Sequence, residues 1–406
     1  MYYIMMFEKM QIPMGIPAWS KKDIMDVFKS FLSGEIFFTS KFKERLKNII
    51  CETLGVKYCL LTEFGRVALE IGLKALGLKP GDGIILPSYI CPSVLLPILR
   101  LKCEPQFADI GEDLNISSES IKKAIKPNTK VIIVPHLYGK PAPIKEILDI
   151  AKEKGLYVID DAAQCLGAKV HGQYIGTFGN FGILSFSAFK FITGSKGGAL
   201  ITNDTSFFRE VLKIKITRAS EIDAFDKFLK SLIKFKYRKY SYHLLKKYRS
   251  RINNRNNITY KYKLPIFPRE YTDISNLDAI LIYAQMKKLE QLLVKRKYLA
   301  ENLFSFLLNN CPDVLIKPHL CRNNKFLKFV IKLPSHIDRS KFLKNFHKKG
   351  IEAQKGYTPL HLNINYNRKL PVTESIWSSI VTLPINHDTD IHDIEYIGSC
   401  LIDLLK

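Results

Sequence analysis

Between Lys41 and Asp204 the apolar residues fall into two alternating arrangements. Some segments repeat them every three or four residues, which predicts a helix with one buried face. Others hold them in short unbroken runs, which predict strands buried on both sides of a parallel sheet. The segment 67–78, VALEIGLKALGL, has helical spacing, stops at the turn signal Lys79-Pro80-Gly81-Asp82, and gives way to the apolar run 83–87. The exchange recurs, with 104–110 extended, 118–125 helical, 131–135 extended, 144–155 helical and 156–160 extended. Strand, crossover and strand repeated in this way predict an α/β domain, a mostly parallel sheet between two layers of helices. Such sheets bind ligands beyond the carboxyl ends of their strands. His136-Leu137-Tyr138-Gly139 and Asp161-Ala162-Ala163-Gln164 stand at those places.

After Asp204 the chain turns helical and basic, over about 205–265. An amphipathic pattern then covers 277–307, read as one long helix that forms a spine into a second domain. An extended run at 326–334 and helical runs at 340–350 and 395–405 complete a small α+β unit. These patterns predict a large domain over 1–265 and a small C-terminal one over 266–406.

Composition adds limits to this picture. The 406 residues, 47% hydrophobic and 25% charged, suffice for two globular cores. The N-terminus lacks a basic start before an apolar run, and no stretch approaches the ~20 apolar residues of a bilayer span, so a cytoplasmic protein is expected. Eight scattered cysteines, with no C-x-x-C pair and no histidine at ligand spacing, indicate neither a metal site nor a disulfide framework. The net charge of +24 calls for acidic partners, and thirteen Lys and Arg with no acidic residue fall within 227–263. There Phe225, Leu229, Leu232, Tyr240, Leu244 and Tyr248 approach helical spacing. Three readings stay open: a solvated helix pair, a cover that draws an acidic substrate to a cleft, or a helix lying on an anionic membrane surface. No reader motif accompanies the charge, so specific nucleic-acid binding is not expected.

The densest chemistry lies in 158–204. An acidic pair, Asp160-Asp161, closes a buried run, and Lys190 follows in the apolar, tightly turned stretch between Ser185 and Gly197-Gly198. Taken alone, a lysine is an ordinary solvated residue. In this setting an unpaired ammonium is costly, and a covalent role accounts for it. Pyridoxal phosphate needs such a lysine to hold it as a Schiff base and to move the substrate's proton. It needs a carboxylate that keeps its pyridine nitrogen protonated, and Asp161 sits on a rigid strand end, although an Asp there can also cap the next turn. Its phosphate needs hydroxyl and amide donors, which Ser185 and a helix N-terminus can offer.

The segment 158–204 resembles the sugar aminotransferases of the DegT/DnrJ/StrS family, nucleotide-sugar enzymes of fold type I. The resemblance extends, in order, through 67–99, FADIGEDLNI at 107–116, 136–164, GIEAQKGYTPLHL at 350–362 and LPVTESIWSSIVTLPI at 370–385. It implies a fold type I pyridoxal-phosphate transferase with a three-layer large domain. It also implies that Lys190 is the Schiff-base lysine, that Asp161 pairs with the pyridine nitrogen, that Gln164 faces the phenolic oxygen and that Ser185 binds the phosphate. Gly65 and Arg66 would offer amides at the start of the phosphate-binding helix. A homodimer with its site at the subunit interface, a keto-sugar substrate and a glutamate or glutamine donor follow from the same likeness. His136, Tyr357 and His361 are nominated for substrate contact, since HLYG and YTPLH resemble stretches near the family's site.

The departures are specific. Phe64-Gly65-Arg66 replaces the usual Ser-Gly-Thr, so a hydroxyl is lost and a guanidinium gained. The aromatic residue that stacks on the cofactor falls at Cys91, with Tyr89 as the nearby alternative. Tyr271-Thr272-Asp273 replaces the Asn and Arg through which a partner subunit would reach the phosphate. Two other readings remain: a different pyridoxal-phosphate reaction on this scaffold, or a non-catalytic, membrane-associated protein acting through its basic segment. Dehydratases among the relatives lack the lysine that this chain keeps.

Overall fold

The computed structural model describes residues 12–235, 270–316, 323–362, 366 and 368–405. Seven strands form the central sheet: β1 (Tyr58–Thr62), β2 (Gly83–Pro87), β3 (Glu104–Ala108), β4 (Thr129–Pro135), β5 (Tyr157–Asp161), β6 (Phe181–Ser185) and β7 (Gly198–Thr202). Their order is β1-β7-β6-β5-β4-β2-β3. All contacts from β6 through β3 are parallel, and β7 runs antiparallel to both β6 and β1. The unbroken apolar runs have the reason given by their period of two. Ile85, Ile132, Val134, Val158, Leu184 and Ile201 point into one core, and Ile84, Val131, Ile133, Ile159, Ile183 and Leu200 into the other. A fully buried side chain of this size contributes roughly 1.5–3 kcal/mol, so each strand is secured from both sides.

Helices cover the two faces as the alternation predicts. Lys41–Leu54, Ser118–Ala124 and Ile144–Lys154 pack on the first core, and the helix Gly65–Ala75, here α1, packs on the second. Gly72 lets α1 approach the sheet, because a Cβ there would lie 2.3 Å from the ring of Phe181. The spine is not one helix but two, α2 (Asn276–Met286) and α3 (Leu289–Asn310), with Lys287 and Lys288 at the break. The physical reason is a change of surroundings. From Asn276 to Ile282 every residue of α2 is buried against the large domain, whereas α3 crosses to another core and offers it one face.

That second core gathers Leu299, Leu303 and Leu307 of α3 with β8 (Phe329–Lys332) and β9 (Ile380–Leu383), an antiparallel pair, and with the helices Arg339–Lys348 and Ile391–Leu405. Ile12, from the other end of the chain, also packs there. Of the amphipathic basic stretch, residues 221–235 form a helix, and Phe225, Leu229 and Leu232 rest against a cluster containing Val27, Phe228 and Leu281. Tyr240, Leu244, Tyr248 and most of the basic run lie outside the described residues. Among the described residues no helix is long and apolar enough to cross a membrane.

Gly72→Ala separates propensity from packing. In a solvated helix the change stabilises by about 1 kcal/mol. Here the buried Phe181 ring, stacked 5.1 Å from Phe207, has no room to retreat, and overpacking of this kind costs about 1–3 kcal/mol. The variant is expected to unfold at lower urea concentration than the parent; an unchanged or raised midpoint contradicts the account.

Candidate active site

The carboxyl ends of β2, β4, β5 and β6 and the start of α1 lie along one edge of the sheet, as the strand order requires. Asp160 and Asp161 end β5 and serve different ends. Asp160 is fully buried, with Oδ1 2.7 Å from His136 Nε2 and Oδ2 accepting the N–H groups of Gly176 and Phe178 at 2.7 and 2.9 Å. Asp161 accepts the Ala163 N–H at 3.0 Å, so it does cap the following turn. Burial pushes its carboxyl above the usual range, opposed by that bond and by the charge of Lys190.

Lys190 is partly buried in the loop that joins β6 to β7. Burial pushes its ammonium below the usual range, against the pull of Cys91 and Asp161. Phe189, just before it, has φ 68°, a conformation that a bulky residue adopts only when its surroundings impose it. Those surroundings are on α2. Gln285 accepts the Thr193 N–H at 3.0 Å and donates to the Thr193 carbonyl at 2.7 Å. Asp278 Oδ1 accepts from Ser195 N–H, Ser195 Oγ–H and Lys196 N–H at 2.6, 2.8 and 3.2 Å. Trp19 Nε1–H reaches the Thr193 carbonyl as well, at 2.7 Å. None of these supports could be inferred from local pattern, because they span more than eighty residues.

The start of α1 is bare. Its N-cap, Phe64, is extended and provides no side-chain bond, so this positive helix end carries no side-chain cap. Gly198 permits this placement, since a Cβ there would lie 2.2 Å from Gly65 N. Ser185 abuts the same point, its Cβ 3.3 Å from where a Gly65 Cβ would stand, and its Oγ is 3.0 Å from Ser187 Oγ. Arg66 lies over the Phe64 ring at 3.9 Å and lines a cleft of about 500 Å³ with Glu63, Lys196, Lys227 and Tyr271. Burial lowers the Arg66 pKa, and Cys91 opposes this. Tyr271 pairs with Ile216 in a short parallel ladder and donates to Glu70 at 3.1 Å; Asp273 pairs with Lys43 at 2.6 Å.

The remaining nominated residues divide. Cys91 is partly buried, its Sγ 3.1 Å from Ser93 Oγ, and it acts electrostatically on Arg66, Lys190 and Tyr357, so it stands among them. Tyr89 has no exposed surface to offer a ligand ring. Its hydroxyl lies 2.5 Å from that of Tyr138, and its ring meets Tyr357 edge-on at 6.0 Å. Gln164 is buried, with its side-chain oxygen 3.4 Å from Tyr138 N. Tyr357 stacks on Tyr138 at 6.3 Å, and burial raises its pKa well above normal, with Cys91, Tyr89 and Asp161 adding to the effect. His136 is used by the fold: Nδ1 accepts the Ala142 N–H at 2.8 Å, which leaves the proton on Nε2 for Asp160. His361 is likewise spent, between Ser88 Oγ at 2.6 Å and Glu374 at 3.3 Å. Sequence reasoning passed over Lys328, which lines a second, small cavity with Asp113, Tyr138 and Lys140 and whose only signal is a lysine within the apolar run 326–331.

The two neighbouring aspartates make a sharp test. Asp160→Asn sets an amide against backbone donors and is expected to cost roughly 3 kcal/mol, read as a fall in denaturation midpoint. Asp161→Asn keeps an acceptor for Ala163 N–H and removes a charge that burial disfavours, so its midpoint should move by less than about 1 kcal/mol. Equal losses for the two variants contradict the division of labour.

Comparison with known proteins places the chain in a family. GDP-perosamine synthase of Vibrio cholerae is 34% identical over 184 residues, 45% of this chain and 50% of that protein, so the match spans about half the length of this curated relative. Helicobacter pylori PseC, an aminotransferase involved in the biosynthesis of pseudoaminic acid, superposes with a TM-score of 0.78 at 19% identity, covering 97% of this chain and 99% of PseC. NtdA of Bacillus subtilis, solved with bound cofactor PMP, gives a TM-score of 0.72 at 23% identity over 95% of this chain and 82% of its own. The profile of the DegT/DnrJ/EryC1/StrS aminotransferases, which depend on pyridoxal phosphate, matches residues 19–402, and the chain belongs to that family.

Proposed function

We propose that this protein transfers an amino group from glutamate or glutamine to a keto sugar carried on a nucleoside diphosphate, using pyridoxal phosphate. The observation that supports the reading is the electrostatic pull of Asp161, at the end of β5, on the half-buried Lys190, with the N-terminus of α1, which lacks a side-chain cap, at the same edge of the sheet. The donor set fits the cofactor: a partly buried primary amine, a strand-end carboxylate with lone pairs to spare, and uncapped amides beside a serine. When bound, the cofactor supplies an electron sink to the carbon that gains or loses the amine.

The chain's own residues supply the rest. Lys190 would hold the cofactor covalently and give and take a proton at the reacting carbon, and burial weakens its basicity. Asp161 keeps a negative charge for the ring nitrogen, and Gln164 offers a hydrogen bond at the ring's oxygen. Gly65 and Arg66 amides, with the Ser185 hydroxyl and the Arg66 guanidinium, hold the phosphate. By the family likeness Cys91 takes the position of the stacking aromatic ring, so cofactor grip would lean more heavily on the phosphate end.

Similarity to GDP-perosamine synthase supports a nucleotide-linked sugar, and the charge of +24 suits an acidic substrate. The product is then an amino sugar for a surface polysaccharide or secondary metabolite. The family likeness supports a homodimer. The seven described cysteines, all free, are in keeping with a cytoplasmic setting.

Purified protein incubated with cofactor is expected to absorb at about 420 nm, with borohydride fixing the label on Lys190. Lys190→Ala should abolish the band and all amination of keto sugars detected by mass spectrometry. A protein with no such band overturns every enzymatic reading, and turnover retained by Lys190→Ala refutes the role of that residue.

A further inference from the structure

Lys328 is an ammonium with no carboxylate of its own. It leads into β8, and its Nζ donates to Gln354 Oε1 at 3.0 Å; among the described residues it forms no ion pair. Gln354 is itself fixed, exchanging N–H and C=O bonds with Thr382 of β9 at 3.1 and 2.7 Å. The acidic groups nearby are engaged elsewhere. Glu352 accepts the Met14 N–H at 2.8 Å, and Asp113, which lines the same cleft as Lys328 and Tyr138, pairs with Lys140 at 3.5 Å.

The backbone holds the segment of Lys328 against the loop after β4. Leu327 N–H bonds the Tyr138 carbonyl at 2.9 Å and Lys325 N–H bonds the Gly139 carbonyl at 2.9 Å, so this segment is pinned to the loop after β4. Gly139 permits the approach: it has φ 93°, and a Cβ there would meet Phe326 N at 2.6 Å. Arg296, buried on α3, donates to the Leu327 carbonyl at 3.3 Å and lies 5.4 Å from the ring of Phe191. One guanidinium therefore bridges the residues next to Lys328 and next to Lys190. Burial and the charge of Lys190 together push the Lys328 pKa down to about 8, with Glu352 and Cys91 opposing. An ammonium placed so, with no carboxylate in salt-bridge contact among the described residues, can take up an incoming anion.

We propose that Lys328 receives the α-carboxylate of the amino donor, a role that rests on the aminotransferase reading. The choice of anion follows from connectivity. In an amino acid the carboxylate is bonded to the very carbon that must lie at Lys190, whereas in a nucleotide-linked sugar the diphosphate is separated from the reacting carbon by ring atoms. Gln354, sharing the ammonium, sets its direction. The second core thus contributes donor recognition, and the large domain contributes the cofactor grip.

The test uses the full chain loaded with cofactor, and reads binding rather than turnover. α-Methyl-L-glutamate keeps the α-carboxylate but has no proton to lose, and 4-aminobutyrate lacks the α-carboxylate. A charge-assisted hydrogen bond is worth roughly 1.5–3 kcal/mol, so Lys328→Met should weaken α-methyl-L-glutamate in calorimetry by about tenfold or more. Binding of 4-aminobutyrate should change less than about twofold, and Lys328→Arg should restore most of the loss. The absorbance band of each variant reports whether the site is assembled. If Lys328→Met binds α-methyl-L-glutamate as the parent does, or loses both ligands equally, the proposal is overturned. If the parent itself shows no band, the enzymatic reading fails first and takes this one with it.

Discussion

The loop that carries Lys190 is gripped from the side by α2. Asp278 and Gln285 stand seven residues apart on α2, two helical turns, so both side chains leave the same face. One takes the N–H groups of Ser195 and Lys196; the other brackets Thr193 through both of its backbone groups. Asp278 also closes the N-terminus of its own helix with Ser275, whose Oγ accepts the Asp278 N–H at 3.0 Å. Burial raises its carboxyl pKa, and these hydrogen bonds oppose the shift. The orientation of α2 and the path of the lysine loop are thus one structural fact.

Around that grip the site is assembled from two cores with unlike contributions. The large sheet brings Asp161, Ser185 and the start of α1 to one edge because its strands end there. The second core reaches the same edge through α3 and the segment before β8, with Arg296 as the joint between them. Burial lowers the Arg296 pKa to about 10, a cost offset by its carbonyl partners on Leu327 and Ile385. The aromatic trio of Tyr89, Tyr138 and Tyr357 fills the seam between the cores.

Much of this was legible in the chain, and the boundary of legibility has a physical origin. The apolar runs of β2, β4 and β5 announced a doubly covered sheet because burial on both faces leaves no polar period. Lys190 and Asp161 stood out since charged groups in apolar settings demand a reason. What stayed hidden depends on distant partners. Nothing near His136 reveals that Ala142 and Asp160 take up both of its nitrogens, or that Tyr89 turns to Tyr138. The break at Lys287-Lys288 escaped because apolar spacing continues through it; what changes there is the neighbour, not the pattern. Lys328 escaped because one lysine in an apolar run reads as a strand edge.

The separation of the two cores has a practical side. Changes at Gln354, Lys328 or Val330 touch neither the Asp278 and Gln285 grip nor the uncapped end of α1. Donor preference could therefore be re-engineered on β8 and its surroundings as an independent module, with cofactor loading serving as an internal control for each variant.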